Sequence, residues 1–179
     1  YHLFITPPFF AYIFLPLSYL PYVLSFVVWS MLGLAGLYFT IRLLEREQSK
    51  TIFLWSLTFF PVFATISFGQ NSLLSLFLFG STYLAWRKRL PFLAGLIASL
   101  LLYKPQLVLG VGLLWLLAWK RDWKALGGLA IGAVSLAALS FIALPEASSE
   151  YLLISNTLLG SMLSWEYFPI WHAHTWRSF

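Results

Sequence analysis

The sequence predicts an all-α, polytopic integral-membrane bundle with short hairpin helices and a cavity on its outer face, and three observations carry that prediction. Of 179 residues, 60% are hydrophobic and only 9% are charged, against about 25% charged in an ordinary soluble domain. Nine of the 11 Lys and Arg fall in three short stretches, Arg42–Lys50, Arg87–Arg89 and Lys120–Lys124, which alternating apolar segments bring to one face, as the positive-inside rule requires. Two polar turns, Phe68-Gly69-Gln70-Asn71-Ser72 and Tyr103-Lys104-Pro105-Gln106, interrupt apolar sequence on the other face.

Taken in order, Thr6-Pro7-Pro8 predicts a helix start, with Thr6 as N-cap and Pro7 at the first helical position. Phe9–Leu20 is too short and too interrupted by Pro16 to span, so it is expected to lie in the outer interface. The first span is Val23–Ile41. Ile52–Phe68 forms the second, kinked or broken near Pro61. Leu73–Trp86 and Leu107–Trp119 run toward the basic face, whereas Leu90–Tyr103 and Ala125–Leu144 run away from it, giving about six spans. Gly128 and Gly132, with Ala125, Ala130 and Ala133, predict a face on which a neighbouring helix packs closely. Residues 1–144 thus form the bundle. Residues 145–179 form an outer segment with an interfacial helix over Tyr151–Met162.

With this arrangement the basic face holds nine cations and three acids, and the outer face two cations and three acids. Topology alone accounts for the excess of cations, so no nucleic-acid partner is expected. Cysteine is absent, which excludes disulfides, thiolate metal sites and a cysteine nucleophile. The chain opens on Tyr1 without an initiating Met and closes on Arg177-Ser178-Phe179; it is expected to be a fragment of a longer protein.

The outer turns carry the chemistry. An arm of about 15 helical residues reaches only ~22 Å, short of the roughly 30 Å hydrocarbon core. With Arg87–Arg89 at one surface, Lys104 and the amides of Gln70 and Asn71 are therefore expected below the opposite headgroups, facing one another. An ionisable residue at that depth marks a functional site, against the plainer reading that Lys104 ends a span and snorkels. An anionic lipid head or a phosphate leaving group suits Lys104, helped by the helix that Pro105 starts. Gln70 and Asn71 either cap their turn or bond substrate oxygens. His172, His174 and Arg177 lie among aromatic residues of the outer segment, where they suit phosphate binding or a plain interfacial loop; His-x-His without a third ligand does not make a metal site. No nucleotide-binding glycine pattern, hydrolase triad or intramembrane carboxylate pair is present.

Read in order, several elements resemble glycosyltransferase family 87, the polyprenyl-phosphate-mannose-dependent mannosyltransferases of the GT-C fold. They are Thr6-Pro7-Pro8-Phe9, Leu15-Pro16-Leu17-Ser18-Tyr19-Leu20-Pro21, Trp29, Gly69-Gln70-Asn71, Arg87–Arg89 with Ala94-Gly95-Leu96, Lys104-Pro105-Gln106, and Trp119–Leu126. The resemblance implies an inverting enzyme in a prokaryotic plasma membrane. It would move a mannosyl-type sugar from a polyprenyl-phosphate carrier to a lipid or glycan acceptor on the extracytoplasmic face, without cofactor or metal. Gln70, Asn71, Lys104, Gln106, His172, His174 and Arg177 are the expected substrate-binding residues. The family's acidic base is expected upstream of residue 1, since no residue here matches it and topology excludes Asp122. Two other classes compete: a lipid-linked or polar-solute transporter or flippase, which calls for inverted repeats, and a structural subunit associating through Gly128 and Gly132.

Overall fold

The computed structural model of the chain describes residues 7–162, with side chains through Leu153. Prolines set several of the helix starts, because each fixes φ for the first turn and lacks an amide hydrogen that would go unused there. Helix α1 is Pro8–Ser18, α2 Tyr22–Leu44, α3 Ser49–Leu57, α4 Phe60–Ser67 and α5 Ser72–Arg87. Then come α6 (Pro91–Ser99) with a 3-10 turn at Leu100–Tyr103, α7 (Pro105–Leu117), α8 (Trp119–Ala143) and α9 (Pro145–Met162). The result is a polytopic helical bundle, and no strand occurs among the described residues.

Three boundaries differ from expectation. Pro7 rather than Thr6 precedes the first helix, with Pro8 in its first turn. The expected loop Lys120–Lys124 is already helical, set off from the rest of α8 by a kink at Asp122 (φ −112°, ψ 15°). The last helix begins at Pro145 rather than Tyr151. The break near Pro61 is present: α3 and α4 meet at 66°, with Pro61 in the first turn of α4.

By length and composition, α2 and α8 can each cross a membrane, and the bent α3–α4 pair makes a third crossing if it acts as one span. Helices α5, α6 and α7, of 16, 9 and 13 residues, fall short of the ~20 residues a span needs.

Small residues hold the bundle together, in two parallel pairs. Beside α2, Gly33 meets Leu73 of α5, Gly36 meets Phe77, and Thr40 lies against Gly80. Between α6 and α8 the approach is tighter. A Cβ on Gly95 would strike the Ala125 carbonyl, one on Gly128 the Phe92 carbonyl, and one on Gly132 the Ser99 hydroxyl. The partner of the expected Gly128–Gly132 face is therefore α6, and Gly95 supplies a matching notch. Residue numbers rise together along both pairs, so each pair is parallel.

At the basic end, Asp122 is 3% exposed. Its carboxylate accepts a hydrogen bond from Trp86 Nε1 (3.0 Å) and two from the Arg121 guanidinium, through Nε (3.2 Å) and Nη2 (3.0 Å). Arg121 also lies 5.2 Å above the Trp86 ring. Burial pushes the Asp122 carboxyl up, but hydrogen bonds from Arg121 and Trp86, with the charge of Arg121, outweigh it and hold the carboxyl below the usual range. Since the folded state favours the charged form, its contribution is complete above the usual carboxylate range and is lost as pH falls through the lowered value. Asp122→Ala is expected to cost about 1.5–3 kcal/mol at neutral pH, the worth of a charge-assisted hydrogen bond. The gap from wild type should close in acid. Thermal unfolding of both proteins across pH checks this; a gap independent of pH would rule it out.

Candidate functional site

Both polar turns come to the end of the bundle opposite the basic clusters. At the first, Gly69 adopts φ +61°, which a residue without Cβ tolerates easily. This left-handed turn closes α4 by bonds from Gly69 N to Ile66 O (3.1 Å) and from Gln70 N to Thr65 O (2.8 Å), a Schellman motif. Asn71 then precedes α5 without a side-chain capping bond. Among the described residues neither amide side chain caps its turn; Gln70 is exposed and Asn71 half-buried.

At the second turn, Lys104 is extended (φ −129°, ψ 79°), as a residue before proline tends to be, and Pro105 opens α7. The Lys104 amine reaches back across the helices to the Ser75 hydroxyl, at 3.4 Å. Ser75 Oγ lies 2.8 Å from the Tyr103 hydroxyl and 3.2 Å from the Asn71 carbonyl oxygen. The Tyr103 hydroxyl also lies 3.5 Å from the Asn71 carbonyl oxygen, so Lys104 donates to Ser75 while either hydroxyl can donate to that carbonyl. Ser75 and Tyr103 are buried. Phe10 of α1, 1% exposed, stacks on the Tyr103 ring at 4.1 Å between centroids and 15° between planes.

The structure thus brings Lys104 to within one hydroxyl of the Asn71 backbone rather than to the side-chain amides of Gln70 and Asn71, through two residues that were not singled out as site candidates. Ser75 lies one helical turn beyond Asn71, and Tyr103 is the neighbour of Lys104. Among the described residues no carboxylate bonds to Lys104, so its positive charge is uncompensated and two of its three N–H bonds have no acceptor there. Gln106 is exposed in the first turn of α7, and its side chain makes no hydrogen bond to this cluster among the described residues. His172, His174 and Arg177 lie outside the described residues, and no group of metal-ligating side chains occurs among those described.

On another face of the same α4–α5 turn lies an apolar groove of about 370 Å³, walled by Trp29, Gly33 and Gly36 of α2 and by Leu73 and Phe77 of α5, with Gln70 at one end. Two parallel helices kept close by glycine leave this slot open along their length.

The chain matches the sequence model of glycosyltransferase family 87 over residues 4–170. It belongs to that family. No curated protein and no solved structure matches the chain. As a family 87 glycosyltransferase, the protein acts on a sugar donor and an acceptor in the setting of a membrane.

Proposed function

We propose that this glycosyltransferase moves a mannosyl-type sugar from a polyprenyl-phosphate carrier to a lipid or glycan acceptor on the extracytoplasmic face, with inversion at the anomeric carbon. One observation supports this above all: the Lys104 ammonium, held by Ser75 and without a carboxylate partner among the described residues, and an apolar groove that ends at Gly69 and Gln70 both adjoin the α4–α5 turn. In this reading the prenyl chain occupies the groove between α2 and α5, and its phosphate lies under Lys104. Gln70 and Asn71 then bond phosphate or sugar oxygens.

The reaction requires the acceptor oxygen to attack the anomeric carbon on the face opposite the carrier. As that bond forms, the bond from the anomeric carbon to the phosphate oxygen breaks, and the electron pair leaves with the phosphate. The Lys104 ammonium, close to the N-terminus of α7, stabilises the negative charge that grows there. In this reading the acceptor's proton passes to a carboxylate base. Ser75 and Tyr103 position the amine and do not touch the reacting atoms.

Ala35 also lines the groove, and Ala35→Phe is expected to shorten it. Displacing two methylenes at about 0.8 kcal/mol each corresponds to roughly tenfold. KM for a radiolabelled long-chain polyprenyl-phospho-mannose should rise by that factor, with KM for a short-chain analogue nearly unchanged. Equal changes for both donors would remove the groove from the proposal, and no transfer from either donor by wild type would overturn the donor assignment.

A further inference from the structure

The basic end of the bundle carries a second cleft, of about 550 Å³, whose walls include Arg87 and Arg89 after α5 and Arg121, Asp122 and Lys124 at the start of α8. Topology explains why basic residues lie at this end, but not why two segments more than 30 residues apart converge around one cavity. The Trp86–Asp122–Arg121 contacts fasten the segments together. Those contacts occupy the one carboxylate of the cleft, and among the described residues Arg87, Arg89 and Lys124 have no ion pair.

Arg89 adds an independent observation. It adopts φ +63°, with bonds from Arg89 N to Trp86 O (3.1 Å) and from Leu90 N to Ala85 O (3.0 Å). This is the same helix-ending motif that Gly69 makes in the other turn, with arginine at the position that favours glycine. A strained arginine at the rim of a cationic cleft indicates a use for its side chain that glycine would not serve.

We propose that this cleft binds the phosphate of an anionic glycerophospholipid. A lipid fits better than a soluble phosphate because the cleft borders exposed apolar residues: Trp123, on its wall, is 56% exposed, and Phe92, beside the lining residue Pro91, is 44% exposed. A phosphate anchored among Arg87, Arg89 and Lys124 leaves its acyl chains against that apolar margin. Guanidinium groups suit the planar, forked bonding that phosphate oxygens accept. This inference is independent of the donor and acceptor assigned above.

The test is retention of lipid by the purified protein in nanodiscs of phosphatidylcholine mixed with phosphatidylglycerol. Wild type should enrich phosphatidylglycerol among its tightly held lipids. Each cation near an anionic lipid surface is worth about fivefold in association, so Arg89→Gly should lower the enrichment by about that factor with an unfolding temperature equal to or above wild type, because glycine relieves the backbone. Lys124→Gln should produce a similar loss, whereas Lys50→Gln, which removes a cation outside the cleft, should not. No enrichment by wild type, retention of enrichment in Arg89→Gly and Lys124→Gln, or an equal loss in Lys50→Gln would overturn the proposal. Glycerol phosphate in solution displacing phosphatidylglycerol at equal concentration would overturn the choice of a lipid over a free phosphate.

Discussion

Lys104→Ala is expected to lower kcat for sugar transfer by about 10²–10³-fold, the range found when a single donor to a developing anion is removed. The loss should fall on kcat more than on KM, because charge accumulates on the carrier phosphate only as the glycosidic bond breaks. Membrane insertion and the unfolding temperature should be close to wild type: the lysine makes one long hydrogen bond, to Ser75 at 3.4 Å, and ends no ion pair among the described residues. Lys104→Arg provides a control that keeps the charge and moves it. Partial activity in that variant, with none in Lys104→Gln, would show that the ammonium acts as a charge near the phosphate. Initial rates with labelled donor in native membranes provide the measurement, and near-normal transfer by Lys104→Ala would remove the residue from the mechanism.

The second large effect is expected in the scaffold. Gly128→Val would drive a branched side chain into the Phe92 carbonyl at the crossing of α6 and α8, where the obstructing atoms are backbone and cannot rotate away. Overpacking typically costs 1–3 kcal/mol, and this site should reach about 3 kcal/mol. Unfolding in detergent, followed by tryptophan fluorescence, should show the midpoint falling sharply. Gly127→Val serves as the comparison, since a Cβ at Gly127 meets nothing within 4 Å. Because the chain has no cysteine, a cysteine pair introduced at Leu96 and Leu129 can report the distance between these helices by cross-linking. A wild-type midpoint in Gly128→Val would refute the close packing.

The same residues show what could be read from sequence and what could not. Gly128 and Gly132 announced a close helix approach because small residues one turn apart have few other uses in an apolar helix. Their partner was hidden, since Gly95 gives no sign of which helix it will meet. Proline placed the break between α3 and α4, and Gly69 marked its turn, because both effects act within a few residues. The polar contacts of the candidate site were beyond that range: Ser75 and Tyr103 are 28 positions apart, and Trp86 and Asp122 are 36 apart. Nothing local distinguishes Ser75 from the other hydroxyl residues of the bundle. Lys104 stood out because charge is costly wherever lipid is near, and Asp122 did not, because an acid in a basic cluster looks like ordinary surface balance.

The parallel arrangement of α2 with α5, and of α6 with α8, also constrains how the chain comes together on the ribosome. A helix can meet a parallel partner only after the chain has turned back and set out again in the first direction, and here Gly33 must wait about 40 residues for Leu73. At translation rates of about 5–20 residues per second, that interval lasts roughly 2–8 s. During those seconds the glycine notch of α2 faces only lipid or the translocation machinery, so the nascent chain holds an unfilled docking face well before its mate has been made.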